Sequence, residues 1–282
     1  MKELQKFKRW LSQVAFLDRR PSIMNIVVCL KQVPDTTAVK IDPKTGTLIR
    51  DGVPSIINPE DKHALEGALQ LKEQYGGKVT VLSMGLPMAK AALREALCMG
   101  ADEAILLTDR CLGGADTLAT SKALAGVIAK LDYDLVFAGR QAIDGDTAQV
   151  GPEIAEHLNI PQVTYVQNVE VKGDTLVVNR ALEDGHQIVE VKTPCLLTAI
   201  EELNHPRYMK VANIFETSDD QIKVMTADDI DVDKSELGLK GSPTKVKKSM
   251  TKEVKGAGEL VKEAPKDAAA YVIGKLKEKH YI

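Results

Sequence analysis

Short apolar runs alternate with segments of helical periodicity from Met24 to about residue 139, and this alternation most limits how the chain can fold. The apolar runs have the length and β-branched content of buried strands and occupy residues 26–30, 79–82, 104–107 and 135–138. Helices are predicted between them, at residues 58–75, 87–99 and 116–130. Strands separated by helices predict an α/β fold with a doubly wound, mostly parallel sheet and right-handed crossovers.

Two stretches have the period of antiparallel strands instead. Residues 39–49 predict a hairpin around a turn at 42–46. Residues 163–171, 175–182 and 186–192 alternate between apolar and polar side chains, and the Asp184-Gly185 pair is a strong hairpin signal. We therefore expect an antiparallel annex at 163–192, after which the apolar run 193–200 returns a strand to the main sheet.

The two ends of the chain differ from this α/β body at residues 24–202. Residues 1–23 form a basic amphipathic extension. It could be a helix on a membrane surface or a helix that docks on a partner, and a third alternative is that Met24 is the usual start of the protein. Residues 203–282 are polar and rich in lysine, with one clear helix near 268–279. We expect them to form a recognition loop and an extended C-terminal arm that lies over the body or over a second chain.

Composition argues against several classes of function. A net charge of −3 and an aromatic content of 4% disfavour a nucleic-acid surface. The four cysteines include no C-x-x-C pair, which argues against iron–sulfur, zinc and disulfide frameworks and for a reducing compartment. No apolar run reaches the roughly 20 residues of a membrane span. We expect a cytoplasmic chain with no metal, no nucleic-acid partner and no membrane span.

Residues 139–152, which we call the cradle, are the main candidate for a binding site. They follow the apolar run 135–138 and lead through glycines into a predicted helix. Backbone N–H groups and the helix dipole favour an anion at such a helix N-terminus. The side chains of Asp144, Asp146 and Thr147 suit a ribose hydroxyl, a cap or a phosphate. The alternative is an ordinary βα turn that Asp146 or Thr147 caps.

The carboxyl ends of parallel strands meet at one edge of a sheet, so four strand exits point toward one crevice. Their loops carry residues 29–34, 58–61, 83–85 and 139–151. Neither G-x-G-x-x-G nor G-x-x-x-x-G-K-[ST] occurs in the chain. A nucleotide site at this edge would therefore belong to another lineage of doubly wound folds.

Several motifs together resemble the β subunits of electron-transfer flavoproteins. They are Val28-Cys29-Leu30-Lys31-Gln32-Val33-Pro34-Asp35, the Asn58-Pro59 helix start, residues 141–144, residues 178–189 with 194–198, and residues 203–208. They follow the family's order and cover the chain from Met24 to its C-terminus. The resemblance implies a doubly wound α/β domain that pairs with a larger α subunit, whose flavin passes electrons onward.

The resemblance also implies a nucleotide in the cradle: a structural AMP in simple members, or a second FAD near an NAD site in electron-bifurcating members of anaerobes. The nucleotide contacts carry over to Cys29, Asn58, Pro59, Glu60, Asp61, Met84, Gln141, Ala142, Ile143, Asp144, Gly145, Asp146, Thr147, Ala148, Gln149, Val150, Gly151 and Pro152. Simple members carry a larger acidic or amide residue where this chain has Gly145, and glycine lets a pyrophosphate approach the backbone. We therefore expect FAD, with AMP as the alternative.

The same resemblance implies a route for the electrons. NADH gives a hydride to the flavin on this subunit, one electron goes to ferredoxin, and one passes through the α-subunit FAD to a lactate-type or acyl-CoA-type dehydrogenase. Because the flavin supplies the redox chemistry, we assign no catalytic residue, and we expect Cys29 to be a small buried group. One alternative is a simple carrier with AMP that serves an acyl-CoA dehydrogenase. The other is an ATP-binding protein of the same fold group, but residues 31–34 do not resemble the phosphate loop of such a protein.

Residues 204–215 resemble the family's exposed recognition loop, which inserts an apolar side chain into the partner dehydrogenase. The expected partner contacts are Asn204, Pro206, Arg207, Tyr208, Met209, Val211 and Ile214. The apolar anchor falls on Val211, where simple members carry leucine followed by proline. Ala212 follows here, which disfavours an ordinary acyl-CoA dehydrogenase as the partner. The alternative is that these residues are a plain linker.

Overall fold

The computed structural model describes residues 24–35, 40–41, 48–49, 54–244, 258 and 260–282. The predicted N-terminal extension, residues 1–23, lies outside the described residues. The chain divides into two compact units, one ending at Lys245 and the other starting at Val246. All of the strands below belong to the first unit.

A single large sheet organises the first unit. In chain order the strands are β1 Met24–Cys29, β2 Gln32–Pro34, β3 Lys40–Ile41, β4 Leu48–Ile49, β5 Ser55–Ile57, β6 Gly77–Met84, β7 Glu103–Leu107, β8 Leu135–Gly139, β9 Gln162–Lys172, β10 Thr175–Leu182, β11 Gly185–Lys192, β12 Cys195–Ala199 and β13 Ile222–Met225. Nine of them form one sheet in the order β11-β10-β9-β12-β8-β1-β6-β7-β13. The pairs from β9–β12 across to β7–β13 are parallel, which confirms the predicted α/β fold class.

The predicted antiparallel annex is present and is continuous with the main sheet. Both β9–β10 and β10–β11 are antiparallel, while the start of β9 pairs in parallel with β12, Gln162 opposite Leu196. The predicted hairpin at 39–49 is present as the antiparallel pair β3–β4, and its turn at 42–47 lies outside the described residues. A second short pair, β2–β5, links the chain after β1 to the start of the first helix.

Helices of the first unit cover both faces of the sheet. The α-helices of this unit are α1 Pro59–Tyr75, α2 Lys90–Met99, α3 Thr117–Ile128, α4 Val150–Leu158, α5 Val211–Glu216 and α6 Gly238–Gly241, and α7 Pro265–Glu278 belongs to the second unit. Asp116 caps α3 as predicted, because its side chain accepts a hydrogen bond of 3.0 Å from the Ala119 N–H. Gly76, at φ +81°, ends α1 where the chain needs a left-handed residue.

Alternate residues of β1 point into two separate hydrophobic layers. Ile26 and Val28 pack with α1 and α2 on one face, whereas Val27 and Cys29 pack with α3 and α4 on the other. These side chains are almost fully buried, and each large one stabilises the fold by about 1.5–3 kcal/mol. The period of two along the strand is what lets one sheet carry two helical layers.

The direction of the chain reverses at β1. After β1 the chain passes through α1 on the first face to β6, and after β7 it passes through α3 on the second face to β8, on the other side of β1. The loops that follow β1 and β8 therefore diverge from neighbouring strands. In open α/β sheets this divergence forms the crevice in which ligands bind.

The sequence analysis missed a strand in the region beyond Glu202. Residues 222–225 form β13, which extends the sheet beside β7. Ile222, Met225, Ile230 and Leu237 from this region are buried, so part of the C-terminal region contributes to the core of the first unit. The strand is four residues long with only its two ends buried, which is too short to show a period in the sequence.

The second unit contains α7, at Pro265–Glu278, close to the predicted 268–279. Val272 and Ile273 on this helix are exposed. Among the helices that the structure describes in either unit, none combines the length and the apolar character needed to cross a membrane.

Candidate functional site

The cradle lies at the reversal point of the sheet, between the exits of β1 and β8. Cys29 is the last residue of β1, Met84 is the last residue of β6, and the cradle begins at Gly139, the last residue of β8. The first turn of α1 lies beside them and carries Asn58 to Asp61. The structure thus brings together the four groups of residues that the sequence analysis assigned to one site.

Asn58 connects the two diverging loops. Its side chain is fully buried and donates a hydrogen bond of 2.8 Å to the Gln141 carbonyl, while its Oδ1 accepts one of 3.0 Å from the Ile143 N–H. Its backbone N–H donates to the Lys31 carbonyl at 2.9 Å. A single asparagine therefore fixes the start of the cradle relative to the loop after β1.

Asp61 makes a second connection beneath the first. Its Oδ2 accepts a hydrogen bond of 2.7 Å from the Lys31 N–H, and its Oδ1 accepts one of 3.0 Å from the Gly139 N–H. Burial raises the pKa of this carboxyl to about 7, although the Lys31, Asn58 and Gly139 hydrogen bonds act in the opposite direction. A Cβ on Gly139 would lie 2.4 Å from Asp61 Oδ1, so this close approach requires glycine.

Glu60 holds the first residues of the cradle. Its Oε2 accepts a hydrogen bond of 2.8 Å from the Gln141 N–H, and its Oε1 forms an ion pair of 2.7 Å with Arg140 Nη2. Burial raises the pKa of Glu60, and its bond to the Gln141 N–H and its pairing with Arg140 partly oppose that rise. The Arg140 guanidinium also lies 5.6 Å from the centre of the Tyr165 ring, a cation–π contact.

The exposed part of the cradle, residues 144–149, has an irregular backbone. Asp146 and Ala148 have left-handed φ angles of 49° and 53°, and such residues concentrate at binding sites. Asp146 Oδ1 accepts a hydrogen bond of 3.0 Å from the Gln141 amide. Gly145 is exposed, its φ lies outside the left-handed region, and an added Cβ would meet no atom within 4 Å.

Neither Asp146 nor Thr147 caps the helix that follows the cradle, so the cap predicted for the alternative of an ordinary turn is wrong. Helix α4 begins at Val150, its N-cap is Gln149, and no side chain caps it. The first intrahelical bond runs from the Glu153 N–H to the Gln149 carbonyl at 3.0 Å. The N–H groups of Val150 and Gly151 consequently point out of the helix end, and Pro152 has no N–H.

An ion pair that the sequence analysis missed lies across the mouth of the crevice. Lys31 Nζ donates to both carboxylate oxygens of Asp144, at 2.7 and 2.9 Å. The two side chains are 49% and 31% exposed, so the pair contributes only about 0–1 kcal/mol to stability. Lys31 lies inside the motif of residues 28–35, but its partner is 113 residues away, and no local pattern indicates the pairing.

Cys29 and Met84 close the inner end of the crevice. Cys29 is buried, as expected, and burial followed by the nearby Asp61 charge raises the pKa of its thiol to about 12. The thiol therefore stays protonated at neutral pH and acts as a small packing group. Met84 is half-buried and packs against the layer that contains Cys29.

The histidines that fall near these elements bond within the chain. His63 Nδ1 is 2.9 Å from the Asn204 carbonyl, and His157 Nε2 is 3.2 Å from Ser121 Oγ. Within the part of the chain that the structure describes, no group of three or more His, Cys, Asp or Glu side chains is arranged to hold a metal ion.

Residues 204–216, which we call the docking segment, include all of the expected partner contacts. Two of these bond within the chain instead of facing outward. The Asn204 amide donates to the His63 carbonyl at 2.9 Å, and Arg207 forms ion pairs with Glu66 and Glu73 on α1. Arg207 Nε and Nη2 donate to the buried Glu66 carboxylate at 2.8 and 3.0 Å. The hydrogen bond to Glu73, and after it the bonds to Glu66, raise the pKa of Arg207.

The remaining expected contacts include a row of exposed apolar side chains. Tyr208 is 96% exposed and Val211 is 70% exposed. Phe215, which the sequence analysis missed, is 85% exposed and follows Val211 by four residues, so both lie on one side of α5. The exposed side chains that complete this row are Met209 and Ile214, while Pro206 is half-buried.

The opposite side of α5 is fixed to the body of the first unit. The Lys210 N–H and the Asn213 amide both donate to the Cys98 carbonyl at the end of α2, at 3.0 and 3.3 Å. The docking segment is thus anchored at several points along its length and presents an apolar row to the outside. Exposed apolar rows of this kind mark surfaces for protein partners.

Comparison with known proteins agrees with this geometry. The family described as "Electron transfer flavoprotein domain" matches residues 45–230. An electron transfer flavoprotein subunit beta of Clostridium acetobutylicum is 73% identical over 259 residues, which cover 92% of this chain and all of the relative. One of Thermoanaerobacterium thermosaccharolyticum is 62% identical over 260 residues, with the same coverage. A caffeyl-CoA reductase-Etf complex subunit CarD of Acetobacterium woodii is 52% identical over 262 residues, again 92% of this chain and all of the relative.

Proposed function

The chain belongs to the electron transfer flavoprotein family as a β subunit, and from that premise we propose that its cradle binds FAD and that the subunit is electron-bifurcating. In this proposal the α subunit is its permanent partner. NADH is the electron donor, and the acceptors are ferredoxin and, through the α-subunit FAD, a dehydrogenase of the lactate or acyl-CoA type.

The observation that carries the choice of FAD is the open space beside Gly145. An added Cβ would meet no atom within 4 Å, and the backbone there is not left-handed, so contacts within the described chain do not require glycine. An acidic side chain at this position would place a negative charge beside any phosphate in the cradle. Glycine removes that repulsion and leaves the backbone accessible to a second phosphate group.

The residues around this space suit an anionic nucleotide. The Val150 and Gly151 N–H groups at the start of α4 favour a phosphate through both hydrogen bonding and the helix dipole. The Lys31 ammonium lies beside Asp144, and the Gln141 amide donates a hydrogen bond to Asp146. The cradle therefore has a cation of its own near its two acidic side chains.

FAD bound here would supply hydride acceptance and single-electron transfer. The residues of this chain would hold it, fix its orientation and limit its contact with water. Cys29 keeps its proton at neutral pH, and both Asp61 oxygens accept backbone hydrogen bonds, so neither group is available as a nucleophile or a proton donor to substrate. We therefore assign no catalytic residue to this subunit.

The docking segment supports the proposed dehydrogenase partner. Its exposed row, with Tyr208, Val211 and Phe215 at its most exposed points, suits insertion into an apolar pocket on another protein. The relative named as a subunit of a caffeyl-CoA reductase-Etf complex supports an acyl-CoA-type partner of the reductase kind. A simple carrier with AMP in the cradle would use the same segment on an acyl-CoA dehydrogenase.

The Gly145→Asp variant tests the choice of FAD, with Gly145→Ala as its matched control. The Cβ that both substitutions add would meet no atom of the described chain within 4 Å, and the position is exposed, so both heterodimers should fold and assemble with the α subunit. We expect the aspartate variant to lose the β-subunit flavin while the α-subunit flavin stays, and the alanine variant to keep both. Equal flavin content in the two variants would contradict the proposal.

A further inference from the structure

The ion pair between Lys31 and Asp144 joins the two sides of the crevice at its mouth. Lys31 lies two residues after β1, and Asp144 lies in the exposed part of the cradle, after β8. The pair has two hydrogen bonds, at 2.7 and 2.9 Å, yet both side chains are partly exposed. It is therefore the kind of contact that a competing anion can displace.

The backbones of both partners are held by hydrogen bonds, so any separation of the pair falls to the side chains. The Lys31 N–H donates to Asp61, and the Lys31 carbonyl accepts from the Asn58 N–H. The turn that carries Asp144 is closed by the Gly145 and Asp146 N–H groups, which donate to the Ala142 carbonyl at 3.1 and 2.9 Å. The Asp144 side chain is 31% exposed, so its carboxylate can turn toward solvent by side-chain rotation alone.

We propose that Lys31 is a phosphate-binding residue of the cradle and that Asp144 is its exchange partner. A nucleotide phosphate reaching the mouth of the crevice takes over the Lys31 ammonium and releases the Asp144 carboxylate to solvent. A phosphate carries more charge and more acceptor oxygens than one carboxylate, and the lysine ammonium binds it as a compact point charge. The inference rests on the proposed function only in requiring a nucleotide in the cradle, and it holds for AMP as well as for FAD.

Arg140 is the neighbouring cation, and its contacts make it a poorer candidate. Its guanidinium is paired with Glu60 at 2.7 Å and lies over the Tyr165 ring. Glu60 in turn accepts the Gln141 N–H, so moving Arg140 would disturb the start of the cradle. Lys31 can change partners without disturbing the start of the cradle, because its contact with Asp144 is partly exposed to solvent.

The experiment uses the heterodimer freed of its β-subunit nucleotide and titrated calorimetrically with AMP, FAD and adenosine. Lys31→Met should weaken the binding of AMP and of FAD about 10-fold or more, because a hydrogen bond between charged groups is lost. It should leave the affinity for adenosine unchanged, because adenosine has no phosphate. Lys78→Met is the matched control, since Lys78 also pairs with one exposed carboxylate, Glu103, but lies at the opposite edge of the sheet.

Replacing Asp144 should change nucleotide affinity in the opposite direction. Asp144→Asn should strengthen the binding of AMP and of FAD up to about 5-fold, because it removes the carboxylate that competes for Lys31. The exchanged pair Lys31→Asp with Asp144→Lys restores an ion pair but moves the cation, so it should bind AMP as weakly as Lys31→Met. If both single variants weakened AMP equally and the exchanged pair restored it, the ion pair would be only a structural connection and the proposal would be overturned.

These results separate this inference from the choice of FAD. If the wild-type cradle bound AMP but not FAD, the FAD proposal would fail while the AMP titrations still tested Lys31. If FAD bound and Lys31→Met changed neither nucleotide, the role of Lys31 would fail alone.

Discussion

Replacing Gly139 with alanine should destabilise the β subunit at the point where α1 meets the exit of β8. The new Cβ would lie 2.4 Å from Asp61 Oδ1 and 2.7 Å from both the Asp61 nitrogen and the Glu60 carbonyl carbon. Two of these three atoms are backbone atoms of α1, so a side-chain rotation cannot relieve the contact. Either the helix or the end of the strand has to move.

The cost has two parts. Overpacking a close contact typically costs about 1–3 kcal/mol. If Asp61 withdraws, the buried Gly139 N–H loses its hydrogen bond of 3.0 Å, which adds about 1–3 kcal/mol for an unsatisfied donor. A total of about 3 kcal/mol would lower the melting temperature of a domain of this size by about 6–12 °C.

Thermal unfolding of the purified heterodimer, followed by circular dichroism and calorimetry, measures this cost. Gly145→Ala is the control, because it adds the same methyl group where no atom lies within 4 Å. We expect the control to melt within about 1 °C of the wild type, as surface substitutions usually do. A Gly139→Ala protein that melted together with the control would refute the close contact of α1 with the end of β8.

Three further predictions concern individual side chains. Because burial raises the pKa of Asp61 from 3.8 to about 7, the folded chain keeps a proton between these pH values that the unfolded chain releases, and this group makes the free energy of unfolding fall as the pH rises through that range. Asp61→Asn should therefore flatten the pH dependence of the free energy of unfolding, measured by urea denaturation, between those pH values. An unchanged pH dependence in the variant would count against the raised pKa of Asp61. Arg207→Ala should cost about 3 kcal/mol in urea denaturation by leaving the buried Glu66 carboxylate unpaired, and adding Glu66→Gln should recover most of the loss; no recovery would mean that the ion pair is not the cause. Val211→Asp should leave the melting temperature unchanged and raise the KM for the partner dehydrogenase about 10-fold or more, while reduction of a small dye stays constant; an unchanged KM would remove Val211 from the docking surface.

Much of the fold could be predicted because its buried strands are continuous apolar runs and its helices have recognisable end residues. The apolar runs at 79–82 and 135–138 fall inside β6 and β8, and Asn58 and Gly76 bound α1 as their residue types indicate. The strand β13 escaped prediction because its four residues have only two buried positions. Its place beside β7 is decided by contacts with residues more than 100 positions away, which no local pattern records.

The location of the site could be predicted, but its internal connections could not. The rule that parallel strands end at one edge was enough to bring Cys29, Met84 and the cradle together. The Lys31–Asp144 pair joins residues 113 positions apart, and it requires knowledge of the tertiary structure. Arg207 shows the same limit: the motif predicted a partner contact, but the neighbouring helix α1 supplies Glu66 and Glu73 as its counterions.

The nucleotide content of the wild-type heterodimer tests the central claim most directly. The complex, purified with its α subunit, is denatured, and the released nucleotides are separated and counted per heterodimer. FAD in the cradle predicts two FAD and no AMP. One FAD together with one AMP would contradict electron bifurcation by this subunit and leave it as a simple electron carrier.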